Sequence, residues 1–207
     1  MVTPKENRLI HRFFSWYIQY IIKTDFSSVS FNKIDVDNYK AILLLANHCS
    51  WWDGFLLFYL NKIYLKKKFH VMIIEETAKK VWFMKYLGAF SVQKQSRSVV
   101  NSLQYAAKLL ENPNNLVLIF PQGQLYSNHV SSIDFEKGLL HIVQNTSKKF
   151  QYLFAVSLFD YFQNRKPTVS IYLKEWQAQE YTSLQVIKNE FNKHYDDAKG
   201  QQSKMVV

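Results

Sequence analysis

Along this chain, short unbroken apolar runs alternate with longer stretches whose apolar positions recur every three or four residues. The run 41–46, AILLLA, has no polar residue on either face, which is the pattern of a strand covered on both sides. Strand-like runs follow at 69–74, 89–92, 116–120, 152–158 and 168–173, and residues 24–39 read as a short strand and a turn. Helical periodicity appears at 9–22, where Leu9, Phe13, Trp16 or Tyr17, and Tyr20 recur, and at 51–65, which is too long for a strand. A helix is expected from 75 to 86, stopped by Gly88. Another is capped by Ser96 or Ser98 and runs to 110, and a third covers 135–144. The last, 181–195, has Leu184, Ile187 and Phe191 in register, with a frayed polar tail from Asp196. Such alternation of strands and helices predicts an α/β domain. No repeat or linker divides the chain. We expect one domain over 1–207: an N-terminal helical segment within 1–30, a core over 40–175 and a C-terminal helix over 181–197.

The apolar inventory adds a second theme. Phe, Tyr and Trp make up 16% of the 207 residues, a content suited to a protein that meets lipid or carries an apolar groove. The 9–22 helix is aromatic nearly all round, with Arg8, Arg12 and Lys23 at its margins, so it is expected to lie on a bilayer or over an apolar groove. Lys and Arg total 26 against 16 acidic residues, for a net charge of +10. An anionic partner follows, and an anionic membrane surface fits better than nucleic acid, because no recognition motif accompanies the charge. No apolar stretch is long enough to span a membrane, and the start MVTPKENR is unlike a signal peptide, so a cytoplasmic location is expected. The lone cysteine, Cys49, excludes an internal disulfide and a multi-thiolate metal site. The six histidines are scattered, so no metal site is expected. Phosphate-binding and dinucleotide-binding glycine loops are absent, and no cofactor is predicted.

Two polar turns carry the candidate chemistry. The strand 41–46 runs into Asn47-His48-Cys49-Ser50-Trp51-Trp52-Asp53, and the strand 116–120 runs into Pro121-Gln122-Gly123-Gln124. Polar turns at the ends of two buried strands suggest one site at one sheet edge. Positions five apart on an unbroken helix are about 140° apart. His48 and Asp53 therefore meet only if His48 sits at the strand end and Asp53 in the first helical turn. Asp53 would then hold one imidazole nitrogen and leave the other to take a proton. Asn47 and Ser50 suit capping or turn positions there. Cys49 reads as a small buried filler, and Gly123 as a turn residue that brings backbone N–H groups close to a ligand.

These residues resemble the PlsC-like glycerolipid (lysophospholipid) acyltransferase family. Asn47, His48 and Asp53 match its N-H-x4-D block. Gly88-Ala89-Phe90-Ser91-Val92-Gln93-Lys94 matches a Gly-containing block that ends in a basic residue. Phe120-Pro121-Gln122-Gly123-Gln124 matches its F-P-E-G-T/S block, and Phe135-Glu136-Lys137-Gly138 its F-K-x-G helix start. Ala155-Val156-Ser157 occupies the fourth block without its usual proline. Lys94 stands where an Arg usually holds phosphate, Gln122 replaces a carboxylate, and Gln124 replaces a small hydroxyl residue.

The resemblance implies a mixed, mostly parallel sheet flanked by helices, with an amphipathic N-terminal helix. It implies transfer of a fatty acyl group from acyl-CoA or acyl carrier protein to a lipid hydroxyl in membrane-lipid synthesis. His48 would be the general base and Asp53 its orienting carboxylate. Lys94, Arg97, Pro121, Gln122, Gly123 and Gln124 would bind substrate or anion, and Trp51, Trp52 and Phe90 would line the acyl groove. Backbone donors near Gly123 or around Asn47 would stabilise the oxyanion. The departures at Gln122 and Gln124 leave a non-phosphate acceptor, a glycolipid or aminolipid, as an alternative. A thioesterase and a non-catalytic lipid-binding protein are the further alternatives. The implied location is the cytoplasmic membrane face, held peripherally.

Overall fold

The computed structural model describes residues 1–93, 98–147, 149–178 and 182–206. Seven strands form one sheet in the order β1-β7-β6-β2-β5-β3-β4. In chain order they are β1 (Ser28–Phe31), β2 (Ala41–Ala46), β3 (Lys68–Ile74), β4 (Ala89–Val92), β5 (Asn115–Ile119), β6 (Phe150–Asp160) and β7 (Thr168–Trp176). Strands β2 to β6 run parallel. Strand β7 pairs antiparallel with β6, and β1 follows β7, so these two run against the rest. The fold is thus the expected mixed, mostly parallel α/β sheet flanked by helices.

The all-apolar β2 lies at the centre, between β6 and β5, and all six of its residues are buried. Its alternate side chains divide the core. Ile42, Leu44 and Ala46 pack with Ile18 and Ile22 of α1 (Arg8–Asp25) and Leu57 and Leu60 of α2 (Asp53–Leu60). On the other face, Leu43 and Leu45 pack with Leu103 of α4 (Val99–Leu109), Leu139 of α5 (Gly138–Gln144), and Ile187 and Phe191 of α6 (Leu184–Gln202). α3 (Glu75–Lys80) is the short helix between β3 and β4.

Several boundaries differ from the sequence reading. The segment 51–65 is not one helix: α2 gives way to a π-helical turn at Asn61–Leu65, ended by Lys66 in the left-handed region. The Asn61 side chain clamps that bend, donating to the Lys67 carbonyl and accepting from the Lys67 N–H. The segment 75–86 also breaks, at Val81, into α3 and a 3-10 helix at Trp82–Leu87. Gly88 then stops it as expected, at φ 95°; a Cβ there would stand 1.9 Å from the Phe69 carbonyl oxygen. α5 begins only at Gly138 rather than 135. α6 continues to Gln202, so the tail expected to fray from Asp196 is helical, held by fully buried Tyr195 and Ala198. The N-terminal helix is amphipathic: Ile18 and Ile22 are buried, while Leu9, Phe13, Trp16, Tyr17 and Tyr20 are exposed.

Candidate active site

β2 and β5 are adjacent and parallel, so the turns that follow them emerge side by side at one sheet edge. After Ala46 the chain turns at Asn47, and α2 starts at Asp53 without a side-chain N-cap. Its free first-turn carboxylate bends back on the turn. Asp53 Oδ2 accepts from the backbone N–H groups of Cys49 at 2.8 Å and Ser50 at 2.9 Å, and lies 2.9 Å from His48 Nδ1. An ionised carboxylate only accepts, so the bond assigns the proton to Nδ1. Nε2 makes no hydrogen bond among the described residues, and the His48 side chain is 22% exposed whereas Asp53 is fully buried. The arrangement is that of an imidazole whose tautomer and ring direction are fixed and whose second nitrogen is open to accept a proton.

Three contacts hold His48 from outside the motif. Phe120 stacks on the ring at 4.1 Å between centroids and 17° between planes. Gln122 Oε1 accepts from the His48 N–H at 2.7 Å, and the Tyr126 N–H donates to the His48 carbonyl at 3.0 Å. Gln122 is buried, and its amide braces the turn that carries His48. Gly123 takes φ 66°, and its N–H closes the turn on the Phe120 carbonyl. Pro121 is buried and receives the Glu136 N–H on its carbonyl, tying the turn to the chain that enters α5. Gln124 is exposed, and its amide donates to the Tyr126 hydroxyl.

Asn47 is neither a helix cap nor a simple turn residue. Its side chain inserts between strands, donating to the Ser157 carbonyl at 3.0 Å and accepting from the Ser157 N–H at 2.8 Å. This two-way bond fastens the end of β2 to β6. The Asn47 amide, the N–H groups of His48, Cys49 and Ser50, and the Gly123 N–H are thus engaged in shaping the turns. Cys49 is packed near the Ser157 carbonyl, and burial, reinforced by the Asp53 charge, pushes its thiol well above the ordinary range. A thiol held protonated is a filler, not a nucleophile.

The remaining predicted residues separate. Trp51 is exposed and meets Phe55 edge-on at 4.9 Å, while Trp52 is half-buried and edge-on to Phe26 at 5.2 Å. Phe90 is fully buried on the opposite side of the sheet, in the core with Leu103 and against Tyr105, so it shares no surface with the two tryptophans. β4 ends at the same sheet edge as β2 and β5. Lys94 and Arg97, expected just beyond it, lie outside the described residues, as does Ser96. Phe120 and Ser157 carry no titratable or nucleophilic signal that marks them for these contacts. Their signal is position alone, Phe120 closing the apolar run of β5 and Ser157 interrupting that of β6, each beside the central strand.

Comparison with known proteins gives two acyltransferase matches. A 91-residue segment is 27% identical to a 1-acyl-sn-glycerol-3-phosphate acyltransferase of Streptococcus pneumoniae (strain ATCC BAA-255 / R6), covering 42% of this chain. The matched segment spans about a third of that curated relative's length, 33%. A family model described as acyltransferase matches residues 29–159, from β1 to the end of β6. That match takes in both strand-end turns and the β6 anchor of Asn47, and the chain belongs to the acyltransferase family.

Proposed function

We propose that the protein transfers a fatty acyl group from an acyl thioester, acyl-CoA or acyl carrier protein, to a hydroxyl of a glycerolipid acceptor. The observation that carries this reading is the His48–Asp53 pair, with the carboxylate oriented by two backbone N–H groups and Nε2 left open. In the reaction, Nε2 takes the proton of the acceptor hydroxyl as its oxygen attacks the thioester carbonyl. The C–O bond forms, the C–S bond breaks, and the proton passes to the departing thiolate. Asp53 stabilises the imidazolium that exists between those events. The acceptor class is supported by the name of the Streptococcus relative, a 1-acyl-sn-glycerol-3-phosphate acyltransferase. Residues 40–175 would form the catalytic unit.

No helix among the described residues is long and apolar enough to cross a membrane. A lipid acceptor must then be met at the bilayer surface. The exposed aromatic side of α1 suits that role, and peripheral docking on an anionic membrane is part of the proposal. The direct test is His48→Ala, assayed with acyl-CoA and acyl carrier protein donors against a lysophospholipid panel. Loss of the base is expected to cut transfer by about 10²- to 10⁴-fold with the fold intact. Transfer near the wild-type rate would end the assignment.

A further inference from the structure

Far from His48, the protein carries a second concavity that the acyl-transfer chemistry does not use. It measures about 970 Å³ and opens between the start of α1, the π-helical turn, the beginnings of β3 and β5, and the end of α4. Ile42 pairs with Leu116, next to Asn115 on the cavity wall, and β2 runs four residues on from Ile42, to Ala46, before the turn that carries His48. At about 3.3 Å per residue, roughly 13 Å of strand separates that wall from the turn, which lies at the opposite edge of the sheet.

Its wall is strongly and one-sidedly charged. Seven Lys and Arg side chains line it against one carboxylate, Glu6, which is already paired with Lys68 at 2.7 Å. The excess of six is most of the chain's net +10. Some of these cations have structural duties: Lys67 Nζ donates to the carbonyls of Asn38, Lys40 and Pro113. Lys5, Arg8, Arg12 and Lys66 have no ion pair among the described residues.

A basic, solvated surface would look similar from charge alone. The floor decides otherwise. His70 is 3% exposed and Asn115 4%, and both line the cavity. Neither ring nitrogen of His70 nor Oδ1 of Asn115 makes a hydrogen bond of good geometry, although the Asn115 side chain and the Gly88 backbone lie beside the ring. Buried polar groups are almost always satisfied, so an imidazole N–H without a well-made bond at the base of a cationic cavity marks a place where an accepting ligand completes the bonding. The geometry points to an anion site for a phosphate-bearing ligand, gripped by Arg8, Arg12 and Lys66 at the rim and met by the His70 N–H at the floor. Two arginines suit this chemistry, since guanidinium groups match phosphate oxygens in pairs.

The ligand has two sources, the headgroup of an anionic lipid or a free phosphate compound, and the test separates them. Thermal unfolding of the full chain is followed while inorganic phosphate is titrated against chloride at matched ionic strength. A saturable rise in Tm is expected in the wild type and equally in His48→Ala, because the site is remote from the imidazole. In Arg8→Gln/Arg12→Gln the apparent Kd should weaken at least ~10-fold by loss of two charge-assisted contacts. Arg165→Gln/Lys166→Gln, which removes the same charge between β6 and β7, should leave it unchanged. Co-flotation with phosphatidylcholine vesicles, with and without phosphatidylglycerol, identifies the source. A phosphatidylglycerol-dependent gain that is lost only in the Arg8/Arg12 variant assigns the lipid headgroup. Saturable phosphate binding without that gain assigns a free phosphate ligand. A rise in Tm that does not saturate, or one weakened equally in both double variants, overturns the site.

Discussion

At the scale of single residues, the departure at Gln122 takes on a different meaning from the one its motif implies. A carboxylate at that position suggests contact with the acceptor, but here the side chain is buried and accepts the His48 N–H. Gln122→Ala would strand that N–H and is expected to cost about 1–3 kcal/mol of stability. It should lower kcat with little change in KM, and Gln122→Glu, which keeps an accepting oxygen, should retain most of kcat. Denaturation curves and steady-state kinetics on the three proteins measure both effects; a shift in KM or in acceptor ranking would instead place the amide on the substrate. His70 supports a second prediction. Burial, reinforced by the Lys68 charge, lowers its pKa to about 4, and nearby Asn115 and Gly88 offset this only in part, without reaching the ring in hydrogen-bonding geometry. The unfolded chain therefore binds a proton that the folded chain refuses between about pH 6.5 and pH 4. Stability is full above pH 6.5 and falls as pH drops through that window, with a limiting slope of about 1.4 kcal/mol per pH unit. His11 and His194 are shifted the same way, so the comparison is with His70→Asn, whose urea midpoint should depend less steeply on pH.

At the scale of elements, α1 divides its labour between two faces. Ile18 and Ile22 are buried against the sheet and Phe14 stacks on Phe83 at 4.1 Å, while Phe13 stacks on Tyr17 and Trp16 on Tyr20 in the open. Phe13→Ser/Trp16→Ser/Tyr20→Ser should leave Tm nearly unchanged, and it should reduce flotation with anionic vesicles at least ~10-fold through loss of apolar contact. Unchanged flotation would remove α1 from the membrane role. The elements also show what a sequence can and cannot disclose. β2 was legible because all six of its residues are apolar, the pattern of a strand buried on both faces, and the His48–Asp53 pair because five residues of local chain determine it. The breaks at Asn61 and Val81 were not, since neither carries a proline or glycine; the first is held by an asparagine bonding across its own turn. The length of α6 was hidden for a related reason. Its last turns are polar in composition, yet two side chains, Tyr195 and Ala198, carry the packing. Asn47 and Gln122 were found, but their work was not, because their partners lie 110 and 74 residues away.

At the scale of the whole molecule, the turn that carries His48 belongs to no single element. It needs β2 for the imidazole, β5 for the stacked Phe120 and the Gln122 brace, and β6 for the anchor of Asn47. This arrangement has a consequence in time. Contacts of such sequence separation form late, because the intervening chain must be ordered before they repay its entropy. The His48–Asp53 pair itself can assemble locally, while the bonds that aim it must wait for residue 157 to arrive beside residue 47. After dilution from denaturant, tryptophan fluorescence should recover ahead of acyl-transfer activity, and Asn47→Ala should widen that interval. Simultaneous recovery of the two signals, unaltered by the substitution, would mean that β6 docks with the earliest structure. If the lag is found, a nascent chain would acquire a competent base only after β6 has left the ribosome, and would stay silent while β2 and β5 are already made.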